Sequence, residues 1–508
     1  MSWKNNKNPA IYKRIREAVL EDGSLPKGFG LHVNHLEWYL CYVDGAYDSR
    51  LHYQPALIPE QPFGPVKGVI KAVGQGNIKK ASIKAERYFR KYKCLPIMEP
   101  FRKWINGQTM YLKHVMNFCW NIITQSDNAE TVKFGLVFME VLDTGANPEL
   151  VKVIRCLAVC EEFTFYCLYL MGRWKNSNDE IFRLAQKLRG WGKTYAVRLL
   201  RPETEVMKRW IVTEGCICSA GSAFLALDCA RKVDLAEYLS RENISREEVN
   251  GAEMIIGGIM DESQLKGISL YPEPVPMLLA YLWRRKEFIP SAEGFDVIAK
   301  IALYAEKKEG EGWAVCLGLA RELMKQTLGR EIISKGLCRG AGFGAATYLD
   351  IDYAPFVFEL MQEEFDRYFY LCQNLMAKNK MVDECVSLFE ERLPLEEMEQ
   401  GMGGRWYFEA NYKLYQRLNF ITSLLGLHPG KGIRLLQCAF VSPASSSRKI
   451  ALVVLEIWML DKEESLRHAY PQLYTSVRKA ILREKKRDMR RKLEELIFTS
   501  GKKRRKAE

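Results

Sequence analysis

Residues 178–215, NDEIFRLAQKLRGWGKTYAVRLLRPETEVMKRWIVTEG, contain three short amphipathic helical patterns separated by helix-breaking residues. Asn178 or Asp179 can cap the first helix, and the two glycines of RGWG can end it. Arg201-Pro202 ends the second helix, because proline disfavours helical geometry in the residue before it. The apolar face of the first helix shows helical spacing and consists of Ile181, Phe182, Leu184, Ala185 and Leu188.

The same pattern runs through residues 63–470, where connections of about two to six residues make consecutive helices antiparallel neighbours. Asn8-Pro9 and Asn147-Pro148 each predict a helix start, with asparagine as the cap. Helix pairs of ~30–45 residues resemble HEAT-like stacking, in which each pair buries its apolar face against the next. The sequence therefore predicts an all-α fold, a HEAT-like helical-repeat α-solenoid. A compact irregular helical domain is the alternative.

Three parts are predicted along the chain. Residues 1–62 form an N-terminal helix and a short irregular aromatic region, in which residues 38–53 can make a small hairpin. Residues 63–470 form the α-helical repeat domain. Residues 471–508 form a basic C-terminal helix, over 472–498, and a tail.

Composition indicates an ordinary globular protein, since 48% of the 508 residues are hydrophobic and 27% are charged. Fourteen cysteines are scattered along the chain, and some of them, such as Cys156, Cys160 and Cys167, lie on apolar helical faces, where free cysteine packs as a small hydrophobe. The N-terminus lacks the apolar region of a secretory signal, so we expect a reducing, cytoplasmic location. No apolar run approaches the ~20 residues of a membrane-spanning helix.

Positive charge is concentrated at the ends of the chain, whose net charge is +13. Residues 471–508 contain 14 Lys and Arg against 5 Asp and Glu. This pattern predicts an anionic partner, such as nucleic acid, at the C-terminal tail. A solvated helix end whose cations complement the helix dipole is the alternative. The basic residues of the helix are Arg483, Lys485, Lys486, Arg487, Arg490, Arg491 and Lys492.

Two glycine-rich segments imitate phosphate-binding loops without meeting their requirements. Gly192-Lys193-Thr194 ends like a Walker A motif, but Lys187 stands where the motif needs glycine, and the preceding segment is helical. Residues 340–345, GAGFGA, approach a dinucleotide fingerprint, but residues 331–339 are not strand-like. We predict that residues 340–345 are a helix–helix turn and that neither segment binds a nucleotide.

Metal and haem sites are poorly supported. No CxxC or HExxH pattern accompanies the cluster of possible ligands near the N-terminus, so packed or surface side chains are predicted there. Cys338-Arg339-Gly340 supplies only the end of a haem-thiolate loop. Catalytic and cofactor-binding residues stay unassigned, and no metal site is predicted. The N-terminal cluster is His32, His35, Cys41 and His52.

Tryptophans recur through the helical body. A flat apolar molecule can lie in a cleft among them, although tryptophan in helix packing is usually a core anchor. These tryptophans are Trp104, Trp120, Trp174, Trp191, Trp210, Trp283, Trp313, Trp406 and Trp458.

Residues 1–26, MSWKNNKNPAIYKRIREAVLEDGSLP, and residues 184–215 resemble the limonene hydroxylase group of helical-repeat proteins from mainly Gram-positive bacteria. The resemblance covers most of the chain and includes no catalytic motif. It implies a monooxygenase that converts limonene to carveol and perillyl alcohol with O2 and NAD(P)H, with FAD as a helper. The implied substrate is a small apolar monoterpene, and no catalytic residue carries over.

A scaffold without chemistry is the competing interpretation. An oxygenase needs a metal, haem or flavin, because side chains alone cannot activate dioxygen. The sequence shows no convincing site for any of these groups. A non-enzymatic HEAT-like scaffold that binds a protein or nucleic-acid partner therefore remains the alternative function.

Overall fold

The computed structural model describes residues 9–31, 43–262, 267–406 and 409–498. The chain is 71% helical, and no strand occurs in those ranges. The prediction of an all-α class is therefore confirmed.

The chain divides into two compact units, each described here by itself. Unit 1 contains Met1–Ile289 and Lys300–Arg321, and unit 2 contains Pro290–Ala299 and Glu322–Glu508. The three-part division expected from the sequence stays a prediction.

Sixteen α-helices lie within the described residues up to Glu287. They are α1 (Ile11–Ala18), α2 (Ala46–Tyr53), α3 (Gly64–Gly74), α4 (Ile78–Phe89), α5 (Met98–Ile105), α6 (Leu112–Gln125), α7 (Ala129–Phe138), α8 (Pro148–Ala158), α9 (Glu161–Met171), α10 (Ser177–Ala185), α11 (Trp191–Leu199), α12 (Glu205–Trp210), α13 (Ala223–Val233), α14 (Leu235–Leu239), α15 (Arg246–Ile259) and α16 (Pro274–Glu287).

The remaining helices continue in the same way. They are α17 (Ala292–Ala305), α18 (Glu311–Lys325), α19 (Thr327–Leu337), α20 (Phe343–Tyr348), α21 (Ala354–Glu363), α22 (Phe365–Tyr368), α23 (Cys372–Met376), α24 (Val382–Arg392), α25 (Leu395–Glu399), α26 (Glu409–Leu424), α27 (Ile433–Val441), α28 (Ser445–Met459), α29 (Leu466–Ala469), α30 (Pro471–Arg483) and α31 (Arg487–Phe498). Short 3-10 turns occur at Pro55–Leu57, Leu95–Ile97, Met139–Val141, Ile268–Leu270, Phe369–Leu371, Met402–Gly404 and Leu425–Leu427.

Consecutive helices pack in pairs, α3 against α4, α6 against α7 and α8 against α9. Within α8 the buried residues Leu150, Val153, Ile154 and Leu157 recur at the helical period, so one stripe of the helix faces the core. This pairing follows from short connections and amphipathic stripes. A regular repeat arrangement stays a prediction.

The predicted cap at Asn147 is confirmed. Its side-chain oxygen accepts hydrogen bonds from the backbone N–H groups of Glu149 (3.0 Å) and Leu150 (3.3 Å), and Pro148 occupies the first helical position. These bonds satisfy donors that a helix start leaves unpaired. The similar cap predicted at Asn8 lies outside the described residues.

The predicted cap of α10 is wrong. This helix begins at Ser177, and Asn178 is buried inside its first turn. The Asn178 amide donates to the Arg201 carbonyl (2.8 Å) and its oxygen accepts from the Arg201 N–H (2.9 Å). Burying Asn178 therefore costs little, because two backbone groups of another segment satisfy its hydrogen bonds.

The hairpin predicted over residues 38–53 is also wrong where the structure describes it. Residues 46–53 form α2, and residues 38–42 lie outside the described part of the chain. Gly45 precedes the helix with a φ of 77°, a left-handed conformation that suits glycine. The Asp44-Gly45 turn signal therefore marks a helix start.

The long C-terminal helix predicted over 472–498 is broken into α30 and α31. Glu484, at the break, is buried and accepts two hydrogen bonds from the Arg448 guanidinium, at 3.0 and 2.8 Å. Its other oxygen accepts the Lys486 N–H at 2.9 Å. The buried ion pair between Glu484 and Arg448 therefore coincides with the interruption of the helix.

The described cysteines are all unpaired thiols, and most are buried. Cys160 and Cys167 lie in the core, as their place on apolar faces predicted. No helix in the part of the chain that the structure covers is long and apolar enough to cross a membrane. A cytoplasmic location stays a prediction.

A π-helical turn, Ile211–Gly215, continues α12 and packs against α15. Gly251 of α15 makes this approach possible, because a Cβ there would lie 2.3 Å from the Val212 carbonyl oxygen. Gly318 of α18 is the contrasting case, with nothing within 4 Å of an added Cβ.

We expect Gly251→Ala to lower the free energy of unfolding by about 2 kcal/mol, because backbone atoms must move to relieve the clash. The matched control Gly318→Ala should raise it by about 0.5–1 kcal/mol, since alanine in an open helical position restricts the unfolded chain. Urea unfolding followed by circular dichroism compares the two variants. Equal changes in the free energy of unfolding for the two substitutions would contradict the close approach of α15 to the π-helical turn.

Candidate functional site

Helices α9, α10 and α11 of unit 1 enclose a cleft of about 560 Å³. This volume lies within the range of about 300–1,000 Å³ that is typical of small-molecule sites. We call it the aromatic cleft. Its lining residues are Phe165, Leu168, Tyr169, Gly172, Ser177, Asn178, Ile181, Tyr195, Arg198, Leu199 and Arg201.

Each helix presents one face to the aromatic cleft, because its lining residues are spaced by three or four positions. Leu168 and Ile181 are buried at its base. Tyr169 and Leu199 are 45% and 51% exposed, which places them toward solvent. The cleft therefore has an apolar base and an open, partly aromatic mouth.

Aromatic rings form one wall. The Phe165 and Tyr195 rings have centroids 5.0 Å apart, and the His52 ring lies 4.3 Å from Phe165 and 5.6 Å from Tyr195. Desolvation lowers the pKa of His52, so this ring is neutral at neutral pH. The wall offers an uncharged, polarisable surface to an apolar ligand.

The hydroxyl of Tyr195 is the polar group on this wall. It lies 2.9 Å from Ser49 Oγ, and burial raises the pKa of Tyr195, so the phenol stays protonated. The Tyr195 hydroxyl is consequently available as a neutral hydrogen-bonding group next to the apolar surface.

Two guanidinium groups lie at another part of the lining. Arg198 donates to Asp228 Oδ2 (2.9 Å) and to the Phe224 carbonyl (3.0 Å). The Arg201 side chain is 70% exposed and lies 3.5 Å from the Glu203 carboxylate. The backbone of Arg201 is fixed, because the Asn178 amide binds both its N–H and its carbonyl.

Behind the aromatic wall lies a buried ionic cluster. The fully buried ammonium of Lys133 contacts three carboxylates, those of Asp48 (2.7 Å), Glu130 (3.2 Å) and Glu162 (2.6 Å). A second ammonium, that of Lys93, lies 3.3 Å from Glu130. We call these five residues the Lys133 cluster. Fully ionised, it carries one more negative than positive charge.

This imbalance determines how the carboxylates of the Lys133 cluster titrate. Burial, with repulsion from Asp48 and Glu130, raises the pKa of Glu162 to about 7 in spite of the Lys133 ammonium. Burial alone would also raise the pKa of Glu130, but the ammoniums of Lys133 and Lys93 lower it to about 2. Glu162 is therefore the member of the cluster that accepts a proton near neutral pH.

The Lys133 cluster anchors α2 to α7 and α9. Glu162 Oε2 accepts the Gly45 N–H at 2.8 Å, and the Tyr166 hydroxyl donates to Asp48 at 2.9 Å. Ser49, which contacts Tyr195, directly follows Asp48 along α2. The cluster therefore positions the polar group of the aromatic wall.

The Walker-like segment binds an anion, but the anion is a side chain of the protein itself. The Glu161 carboxylate accepts the backbone N–H groups of Arg189 (3.0 Å), Gly190 and Gly192 (3.2 Å). A Cβ at Gly190 would lie 2.2 Å from this carboxylate, so glycine is needed for the approach. The segment before these glycines is helical, as expected, since α10 covers Ser177–Ala185.

Lys193, the lysine of the same segment, points elsewhere. It is buried, and its ammonium donates to the carbonyls of Glu214 and Ile217, both at 2.9 Å. Burial lowers its pKa. A cation at the carbonyl end of a helix compensates the orphan acceptors there, so Lys193 is explained by its role at the π turn.

The GAGFGA segment repeats this arrangement in unit 2. Asp296 accepts the N–H groups of Gly342 (3.1 Å) and Ala345 (2.8 Å) at the start of α20. Gly340 and Gly342 have φ values of 81° and 85°, as a turn between helices requires. The predicted helix–helix turn is confirmed for residues 340–342, whereas residues 343–345 already belong to α20.

Neither glycine-rich segment fits the pyrophosphate of a flavin or of NAD(P)H. A pyrophosphate needs the N–H groups of a helix start. At both segments those groups already bind a carboxylate, that of Glu161 or of Asp296. The cofactors implied by the resemblance are therefore not assigned to either segment.

The remaining candidate metal and haem ligands lie in different parts of the chain. His32, His35 and Cys41 lie outside the described residues, and no group of three metal-ligating side chains occurs in the described part. Cys338 is exposed and follows α19.

No tryptophan lines the aromatic cleft, whose rings come from phenylalanine and tyrosine. Trp174, Trp210 and Trp458 are buried core anchors, whereas Trp283 is 52% exposed.

Comparisons with known proteins identify no relative. No family model matches the chain. No curated protein matches it, and no solved structure matches it. The likeness to limonene hydroxylases stays a prediction.

Sequence reasoning missed both the aromatic cleft and the Lys133 cluster. One signal for the cluster was available: Lys133 is the only basic residue within AETVKFGLVF, a helix that is otherwise largely apolar. A lysine in such a helix is rarely buried without a carboxylate partner. Glu130 precedes Lys133 by three residues in the same helix. The other two partners, Asp48 and Glu162, come from α2 and α9, which no local pattern brings together.

The pKa of Glu162 predicts a pH-dependent stability. A carboxyl whose folded pKa is raised from 4.5 to about 7 is neutral in the folded state at low pH, and its ionisation costs stability as pH rises between these values. We expect Glu162→Gln to raise the free energy of unfolding at pH 8 by on the order of 1–2 kcal/mol and to leave it nearly unchanged at pH 4.5.

The control is Glu149→Gln, because Glu149 is an exposed partner of Lys152 at 2.8 Å. That variant should differ from the wild type by less than about 0.5 kcal/mol at every pH. Urea unfolding at several pH values measures both. If Glu162→Gln is no more stable than the wild type at pH 8, the conclusion that ionised Glu162 destabilises the Lys133 cluster is wrong.

Proposed function

We propose that the aromatic cleft binds a monoterpene-sized apolar molecule and that the chain is a limonene hydroxylase, as its resemblance to that group implies. In that reaction limonene, O2, NAD(P)H and a proton give carveol or perillyl alcohol, NAD(P)+ and water. The cleft supplies the substrate site.

The dimensions and lining of the aromatic cleft are the observation that carries this proposal. Leu168 and Ile181 form a dry base, and Phe165 and Tyr195 form a wall against which an unsaturated ring can pack. Burying a ten-carbon hydrocarbon there removes apolar surface from water, which favours binding.

The residues of the chain bind and orient the substrate in this proposal. The Phe165 and Tyr195 rings leave the wall uncharged, because burial raises the pKa of Tyr195 and keeps its phenol protonated. A flavin would supply the electrons and activate dioxygen, and no residue described above is assigned to hold it.

Filling the aromatic cleft tests the substrate site. Leu199 lines the mouth and is half-exposed, so Leu199→Trp should fold and occupy the space. We expect limonene binding, measured by headspace partition over the purified protein, to weaken by about tenfold, the equivalent of about 1.4 kcal/mol. Product formation with O2, NADPH and FAD should fall in parallel.

Leu303→Trp is the matched control, because Leu303 of α17 is 45% exposed and does not line the cleft. It should bind limonene like the wild type. Equal limonene binding by the two variants would remove the cleft from the proposal. A wild-type protein that forms neither alcohol above a heat-treated blank would exclude hydroxylation.

A second candidate is a HEAT-like helical-repeat scaffold that binds an anionic partner such as nucleic acid. Lys485, Lys486 and Arg487 are exposed where α30 ends and α31 begins, and this observation favours it. The neighbouring Arg490 and Arg491 instead pair with Glu494 and Glu495 within the helix. The break therefore presents three adjacent exposed cations.

Salt dependence tests the scaffold. We expect Lys485→Gln/Lys486→Gln/Arg487→Gln to weaken binding to a DNA oligonucleotide and to reduce the slope of log K against log salt by about 0.9 for each lost phosphate contact. Truncation after Ser500 should act in the same direction. The control is Lys79→Gln/Lys80→Gln, on exposed residues of α4. An unchanged slope in the triple variant would dismiss this partner.

A further inference from the structure

We propose that the aromatic cleft selects an amphiphile, with a compact apolar body of about ten carbons and a carboxylate head that Arg201 binds. The inference rests on the proposed substrate site and adds a second class of ligand, which the cleft binds more tightly than a hydrocarbon such as limonene. The chemistry is shared by a terpenoid acid and a short fatty acid.

Charge complementarity is the first argument. Arg198 and Arg201 are the only charged residues among the described residues that line the cleft, and both are cationic. A pure hydrocarbon gains nothing from a guanidinium and must partly desolvate it. A carboxylate in the same position forms charge-assisted hydrogen bonds with it.

Preorganisation is the second argument. The buried Asn178 amide binds the N–H and the carbonyl of Arg201, at 2.9 and 2.8 Å, so the backbone of a cleft-lining arginine is fixed before a ligand arrives. Proline at position 202 restricts the chain immediately afterwards. A fixed binding group loses less entropy on association.

The existing partner of Arg201 is weak enough to be replaced. Its guanidinium lies 3.5 Å from Glu203, and the two side chains are 70% and 59% exposed. Exposed ion pairs of this kind contribute little to stability. Arg198 is held more firmly by Asp228 and the Phe224 carbonyl. Arg201 is therefore the carboxylate ligand, whereas the charge of Arg198 is neutralised by Asp228 at 2.9 Å.

The opposite wall suits the apolar body of such a ligand. Phe165 and Tyr195 are neutral rings, and Leu168 and Ile181 close the base. Tyr195 stays protonated, so no negative charge from the wall repels the head group. One end of the cleft is thus apolar and the other cationic.

Calorimetry at pH 8 on the full chain tests the inference with four probes: limonene, perillyl alcohol, perillate and octanoate. Perillate should bind at least about tenfold more tightly than perillyl alcohol, because only the carboxylate pairs with Arg201. Octanoate that binds as tightly as perillate would identify a fatty acid as the source of the head group, and weaker octanoate binding would identify a ring-bearing acid.

Arg201→Gln should weaken perillate binding by about three- to tenfold and change perillyl alcohol binding by less than about twofold. The control is Arg209→Gln, because Arg209 is similarly exposed, pairs with Glu247 at 2.9 Å and does not line the cleft. Circular dichroism confirms folding of both variants. Perillate binding that is unaffected by Arg201→Gln overturns the inference.

The two proposals fail in different ways. Limonene binding without a preference for perillate over the alcohol overturns only the carboxylate head. Tight, Arg201-dependent perillate binding without any hydroxylated product supports the head and overturns only the hydroxylase. If no probe binds, both are wrong.

Discussion

The buried Lys133 ammonium is the interaction on which the candidate site depends. It neutralises carboxylates from α2, α7 and α9 in a fully buried position. A buried ionic cluster of this kind contributes little net stability, because desolvating its charges costs about as much as their attraction gains. Its main effect is therefore geometric: α2 can lie in only one position against α9, and that position brings Ser49 to Tyr195.

A second principle recurs in both units: the chain supplies its own anions to its helix starts. Glu161 binds the N–H groups before and within the first turn of α11, and Asp296 does so at α20. Glycine at these positions permits the approach, as it does in phosphate-binding loops. In this protein the same local geometry binds a carboxylate of the chain itself. Glycine spacing alone therefore does not predict nucleotide binding.

Helical periodicity and cap residues made the fold class predictable, as the Asn147 cap and the buried stripe of α8 illustrate. Interactions between distant residues were not predictable. The Arg448–Glu484 ion pair lies where the C-terminal helix is interrupted. Asn178 binds the backbone of Arg201 and therefore does not cap its own helix. The candidate site was the least predictable part, because its lining comes from three separate helices. The hydrogen bond to Tyr195 comes from α2, which the local pattern assigned to a hairpin.

Helix α9 links the parts of the site because its faces serve different tasks. Phe165, Leu168 and Tyr169 line the aromatic cleft, while Glu162 and Tyr166 point into the ionic cluster. Adjacent residues 165 and 166 thus belong to an apolar wall and to a charged interior. Helices α9 and α2 are therefore the two elements that join the ionic cluster to the aromatic wall: Glu162 and Phe165 lie on α9, and Asp48 and Ser49 lie on α2.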